Sequence, residues 1–198
     1  TPLETAGAHV EKVNQVTYKT VEDGKKQVIT EITYAVIPDK SGILNIPQLR
    51  YQGDKKTESA LNRNFGNFGN FGNFGNIFKS SGQRIFSMSK PQTVEVTPIP
   101  KQIKGWWLPA NNLEIIEKWQ PEPPVFKVGE PVTRTLTIIA DGVTGDQIPE
   151  LEFNYPDTIK AYSDQPRIET EKSDNGLRGI RKEKWALIPN RNGIISLP

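Results

Sequence analysis

The side chains best suited to chemistry or recognition in this chain are one histidine and four tryptophans. His9 stands alone. A metal centre needs several ligands converging on one ion, and no carboxylate pair lies at ligand spacing from His9. A Ser–His–acid triad would have to use the same histidine, and no Gly-x-Ser-x-Gly elbow occurs. Cysteine is absent, which removes thiolate nucleophiles, cysteine metal sites and disulfides together. There is no phosphate-binding P-loop, dinucleotide fingerprint or Asp-x-Asp-x-Asp-Gly calcium loop. Carboxylates are spread singly along polar strand faces and read as solvated sheet surface. The expectation is a chain without catalytic residues, cofactor or metal, in which His9 is a surface residue.

The tryptophans are the remaining candidates. Trp106 and Trp107 are adjacent, so in an extended segment they point opposite ways. They follow Pro98-Ile99-Pro100-Lys101-Gln102-Ile103-Lys104-Gly105, a stretch whose two prolines stiffen a linker. Packing between modules is one reading of the pair. A partner-binding hot spot is the other, because tryptophan is enriched at such sites. Trp119 precedes a proline-rich stretch and is expected to plug one end of a module, and Trp185 is expected in a core.

The elements that must position these residues are strands. Val28, Thr30, Ile32, Tyr34 and Val36 alternate with polar residues, and Val16, Tyr18 and Thr20 do the same upstream. Asp23-Gly24 between them signals a tight hairpin turn, so a hairpin is expected from about Val13 to Ile37, ended by Pro38. Pro131 to Ala140, Arg167 to Lys172 and Ile180 to Ile188 read as further strands, and so do Ile43 to Ile46 and Gln92 to Thr97. Leu113 to Trp119 fits one or two helical turns as well, and its neighbourhood favours a strand. Many short strands with almost no helical period imply an all-β chain of immunoglobulin-like antiparallel β-sandwich modules, without the immunoglobulin cysteines. Residues 1–100 form the first module and 101–198 the second. Within the first, four consecutive Asn-Phe-Gly triplets from Asn64 to Gly75 sit in an insertion of about residues 54–84. A three-residue period suits neither helix nor strand, so the insertion reads as a disordered loop. The sharper alternative is a sticky aromatic segment prone to β-association.

A repeat ties the modules together. Tyr34-Ala35-Val36-Ile37-Pro38 through Gly42 to Pro47 aligns without a gap on Trp185-Ala186-Leu187-Ile188-Pro189 through Gly193 to Pro198. In that register the first module lacks opening strands and the second its closing ones, so both are expected to be incomplete parts of a longer tandem array. The 25 Lys and Arg are interleaved with 23 Asp and Glu, which is no nucleic-acid footprint. No apolar run is long enough to span a bilayer.

Several stretches of the second module resemble the BatD family of bacterial aerotolerance (oxygen tolerance) proteins. They are Val128-Gly129-Glu130-Pro131-Val132-Thr133-Arg134, Gln147-Ile148-Pro149-Glu150-Leu151, Lys160-Ala161-Tyr162-Ser163-Asp164 and the closing Ile188-Pro189, Gly193, Leu197-Pro198. The first module carries the related Ile37-Pro38, Gly42, Ile46-Pro47 signature, whereas the Asn-Phe-Gly tract is foreign to the pattern. The resemblance implies tandem β modules in the periplasm, held to the inner membrane by an anchor outside this segment. It also implies partners among von Willebrand factor A-type membrane proteins, and no catalytic residues to carry over. The expected function is a non-enzymatic interaction scaffold binding proteins through sheet edges and loops. The alternative is a carbohydrate- or peptidoglycan-binding module that stacks sugars on Trp106, Trp107 and Trp119.

Overall fold

A computed structural model describes residues 2–22, 24–55 and 83–198. The chain is all-β: eleven antiparallel strands and a single 3-10 turn among the described residues. It divides into two compact units, one of residues 1–10 and 37–98, the other of residues 11–36 and 99–198. The hairpin segment 11–36 therefore groups with the C-terminal hundred residues.

In the first unit, β3 (Gly42–Ile46) pairs with β6 (Gln92–Val96), and β4 (Arg50–Lys55) pairs with β5 (Gln83–Met88). The expected strand at Gln92 is present. The 54–84 insertion joins β4 to β5, and its Asn-Phe-Gly tract lies outside the described residues. The N-terminal segment is tied to this unit by Thr5, whose hydroxyl donates to the Asn45 carbonyl (2.7 Å), and by the Asp39 N–H bonding the Gly7 carbonyl (3.0 Å). Leu3 and Leu44 are its buried aliphatics among the described residues.

The second unit is built on one sheet. β7 (Asn112–Gln120), β8 (Val132–Asp141) and β11 (Gly176–Pro189) lie side by side. β9 (Ile159–Ser163) and β10 (Arg167–Ser173) follow one another along the far edge of β11. Between those two the Asp164 N–H still bonds the Lys184 carbonyl (2.9 Å), which keeps the edge continuous. Side chains alternate across a strand, and β8 shows it residue by residue: Val132, Arg134, Leu136, Ile138 and Ala140 are buried while the intervening residues are half-buried. Trp185 and Leu187 of β11 face the same way as Leu136, and with Ile159 they form one core cluster. Ile138, Ala140, Val143 and Ile148 form a second. The layer opposite this face comes from extended segments: Leu108 and Ala110, then Phe126, then Ile148 to Tyr155, then Ile195 and Leu197.

The segment after β8 approaches the sheet so closely that two glycines are required. A Cβ on Gly179 of β11 would lie 2.6 Å from the Thr144 carbonyl oxygen, inside any van der Waals contact. Gly145 has no room either, against the Glu169 carbonyl, and its N–H bonds the Thr170 hydroxyl (3.0 Å).

β1 (Ala8–Glu22) and β2 (Lys25–Pro38) form a hairpin longer than the sequence pattern delimits. Gly24 at its tip has φ +72, the left-handed backbone that an Asp-Gly turn demands.

Candidate functional site

Charge inside the second unit is the first thing to place, because buried ionisable groups often mark function. Glu183 and Arg181 lie two residues apart on the buried face of β11, and their side chains pair with each other. Both are over nine-tenths buried. Arg181 also reaches the Ile148 carbonyl, and Glu183 accepts a hydrogen bond from the Leu151 N–H (3.3 Å). Glu183 thus corrects the expectation that carboxylates sit on solvated sheet surface. The pair clamps the 148–151 segment over the sheet between the two core clusters. Removing one partner would strand a buried charge, a change that costs about 3–5 kcal/mol.

Arg134 on β8 is buried too. Its Nε donates to Glu117 of β7 (2.7 Å) and another guanidinium nitrogen donates to the Tyr155 hydroxyl (3.3 Å). The guanidinium carbon lies 4.8 Å from the Phe153 ring centre and 5.6 Å from that of Trp119, close enough for cation–π attraction. Burial alone would lower its pKa, but the bonds to Tyr155 and Glu117 outweigh that and raise it, so the charge is permanent. No buried side-chain nitrogen or oxygen among the described residues is left without a partner. The arrangement ties β7, β8 and β11 to the 148–155 segment.

Trp119 is therefore occupied. Arg134 covers its ring, and Phe126 meets it edge-on at 5.9 Å. Trp185, 6 % exposed, packs edge-on against Phe153 at 5.2 Å, as a core residue. Trp106 and Trp107 differ from both: they lie outside any ladder and are 54 % and 39 % exposed. His9 is exposed on β1.

An open cavity of about 620 Å³ lies at the β10–β11 turn, lined by Asn111, Asp141, Lys172, Asn175 and Arg178 among others. Asp141, Lys172 and Arg178 among its charges are engaged within the protein. Asp141 accepts from Arg178 Nε (2.7 Å), and this bond holds its carboxyl below the usual range against a smaller opposing effect of burial. Lys172 pairs with Glu11 of β1, while Asn14 bonds Asp174 (2.6 Å), so the hairpin is pinned to the β10–β11 turn by polar contacts. A general acid needs a carboxyl pushed upward, the opposite of Asp141. Among the described residues no group of three or more His, Cys, Asp or Glu side chains could hold a metal ion, and no helix is long and apolar enough to cross a membrane.

Beyond its pinned base the hairpin is bare. The Thr17 and Thr30 hydroxyls bond across it (3.0 Å), which puts odd positions of β1 on the same face as even positions of β2. That face carries Val21, Val28 and Ile32, at 65 %, 67 % and 44 % exposure. On the other face the Tyr18 hydroxyl donates to Glu31 (2.7 Å), a bond that raises the phenol's pKa. The hairpin is a two-stranded sheet, so neither outer edge has a ladder partner among the described residues. The sequence signalled the strands but not this exposure: the same alternating pattern serves equally for a strand that is covered.

No family model, curated protein or solved structure matches the chain.

Proposed function

We propose that this chain is a non-enzymatic interaction scaffold that binds a protein partner by strand addition and apolar contact along the β1–β2 hairpin. The observation that carries this reading is the hairpin's aliphatic face, Val21, Val28 and Ile32, displayed beside unpaired strand edges. An isolated two-stranded ribbon is marginally stable in water, and unpaired edges are natural templates for another chain. A third strand would both satisfy the edge and cover the aliphatics.

The setting we propose is the one the sequence resemblance implies: tandem immunoglobulin-like modules of an aerotolerance protein, periplasmic and anchored in the inner membrane, with a von Willebrand factor A-type membrane protein as partner. Its support is the residue pattern quoted above, together with the all-β architecture. Envelope extracts passed over the immobilised chain should yield an A-domain protein, and a Val28→Lys variant should recover several-fold less. Recovery of no A-domain protein, or equal recovery by the variant, would sink this reading.

The exposure of Trp106 and Trp107 favours one second reading, a carbohydrate- or peptidoglycan-binding surface. Trp119 is removed from that surface by Arg134 and Phe126. Titration with peptidoglycan fragments should then quench tryptophan emission saturably in the wild type and not in a Trp106→Ala/Trp107→Ala variant.

A further inference from the structure

The second unit has its own open edge, separate from the hairpin. β7 borders β8 on one side and has no strand neighbour on the other among the described residues. No proline falls within residues 112–120, so every residue on that edge keeps its N–H. The β7–β8 register sets Glu117 opposite Leu136 and Trp119 opposite Arg134, which places the odd positions of β7 on the buried face of the sheet. Leu113 and Ile115 belong to that face, opposite the buried Ala140 and Ile138. Yet they are 50 % and 57 % exposed. The core thus reaches β7 at Trp119 but stops short of its first half, leaving two aliphatics uncovered beside an edge with no ladder partner among the described residues.

The sequence of β7 says what fits there. In an antiparallel pairing residues i and j oppose one another when their sum is constant. Where a two-fold axis relates the strands that sum is even, because neighbouring rungs alternate between hydrogen-bonded and non-hydrogen-bonded and cannot be equivalent. Centred on Ile116, the strand Asn112-Leu113-Glu114-Ile115-Ile116-Glu117-Lys118-Trp119-Gln120 is complementary to itself. Glu114 opposes Lys118 of the second copy, and by symmetry Lys118 opposes Glu114. Asn112 opposes Gln120, and Leu113 lies across from Trp119. Neighbouring registers lose this. The Ile116-centred register does set Ile115 across from Glu117, whose carboxylate is held by Arg134. But centring on Ile115 leaves both Glu114 and Lys118 without an opposite charge, centring on Glu117 or Glu114 opposes two like carboxylates, and centring on Lys118 opposes two ammonium groups. Opposite charges directly across a ladder stabilise it and like charges destabilise it, so one register stands out.

We propose that β7 is a self-recognition edge: two copies of the chain join antiparallel about Ile116, extending the sheet across a two-fold axis and covering Leu113 and Ile115. A two-fold contact of this kind is isologous, so it closes at a dimer. A single strand pair falls at the small end of specific interfaces, which makes the dimer dependent on concentration. This inference does not rest on the hairpin's function, and partner capture by the hairpin is unaffected by its outcome.

Sedimentation velocity on the full chain, from micromolar to near-millimolar concentration, should show a rise toward twice the monomer mass. Lys118→Glu or Glu114→Lys alone should weaken self-association about tenfold or more, since each sets two like-charge pairs across the axis. The double variant Glu114→Lys/Lys118→Glu should restore it. Both positions are exposed, and circular dichroism checks that each variant folds. The absence of cysteine allows a second readout. In Ile116→Cys, the two thiols meet on the axis with Cα atoms about 4.5–5.5 Å apart, within disulfide reach. Oxidation should therefore cross-link that variant. Glu114→Cys places its thiols roughly 14 Å apart along the strands and should not cross-link. A chain that stays monomeric throughout overturns the proposal. So does a dimer that ignores the charge swap and fails to cross-link at residue 116, since its contact lies elsewhere.

Discussion

The two copies of the repeated signature, Tyr34–Pro47 and Trp185–Pro198, share a local shape and differ in what receives it. In both, an aromatic begins the end of a long strand, a proline closes it, and a glycine turns the chain with positive φ: +112 at Gly42, +145 at Gly193. In both, the next residue is exposed (Ile43 at 75 %, Ile194 fully) and the one after it turns inward (Leu44, Ile195). Beyond that they part. Gly42–Ile46 is a strand paired with β6, whereas residues 194–198 make no ladder among the described residues and rest Ile195 and Leu197 on the core as extended chain. Upstream the contrast reverses. Trp185 is buried between Phe153 and Leu136, and Tyr34 is half-buried on a two-stranded hairpin.

The difference teaches that the signature encodes a strand–turn–extended-chain unit and leaves its partners to the surroundings. Backbone alternation and a left-handed glycine are local, so they survive in both copies. Ladder pairing and burial are supplied from elsewhere in the chain: β6 for the first copy, and β8 with the 148–155 segment for the second. The same inward-facing positions therefore meet a dense core in one case and little in the other.

The largest expected effect tests that imbalance. Trp185→Ala removes an aromatic that is 6 % exposed from the middle of a cluster and should cost about 3–5 kcal/mol. Tyr34→Ala, at the equivalent position, should cost no more than about 1.5 kcal/mol, because a half-buried side chain has less contact to lose. Urea unfolding followed by far-ultraviolet circular dichroism compares the two directly. Equal losses would mean that Tyr34 is covered in solution, and the contrast between the copies would fail.

Legibility in the sequence divides along the same line. The strands of both copies follow from period-two alternation, and the hairpin follows from Asp23-Gly24. Which face of β8 is buried does not follow, because Thr133, Thr135, Thr137 and Ile139 look as suitable as the face that carries Arg134. Arg134 is inside because Glu117 and Trp119 of β7 and Phe153 and Tyr155 of the segment opposite the sheet converge on it. Arg181 and Glu183 are inside because they satisfy each other and the 148–151 backbone. The layer opposite the sheet was partly readable: Leu151, Phe153 and Tyr155 alternate with Glu152 and Asn154, but this stretch joins no ladder among the described residues, and its place over the sheet comes from tertiary packing. Gly179 was readable in principle, since a glycine inside a strand pattern signals close backbone approach, whereas Gly145 lies in a turn where a glycine carries no such signal. For the candidate sites, Trp106 and Trp107 could be singled out by type, but the bare aliphatic face of the hairpin became visible only with the fold.

A smaller effect tests the shared turn. Gly42→Ala and Gly193→Ala each force a Cβ into left-handed backbone, and each should lose about 1–3 kcal/mol if the turn is held equally in both copies. A loss at Gly42 with none at Gly193 would show that residues 194–198 detach at little cost. The ladder to β6, rather than the turn, would then distinguish the first copy. Hydrogen exchange at Ile195 and Leu197 would separate that outcome from a turn that simply tolerates alanine.

The smallest effect concerns how β11, which carries the second copy, is tied to β8 at its far end. Arg178 donates to Asp141 across the ladder and holds that carboxyl below its ordinary value. A group whose pKa is lower in the folded state stabilises it above the unfolded pKa, and that stabilisation disappears as pH falls through the folded value. The stability gap between the wild type and Asp141→Asn should therefore stay constant from neutral pH down to about 4, the ordinary carboxylate value, and close below it. Added salt should narrow the gap at neutral pH, because both partners are partly exposed. A gap that persists unchanged into strong acid would mean that Asp141 acts through its shape and neutral hydrogen bonds alone. The second copy would then owe its position to the Trp185 core and the β8 ladder, with no ionic contribution, and its contrast with the first copy would rest on packing.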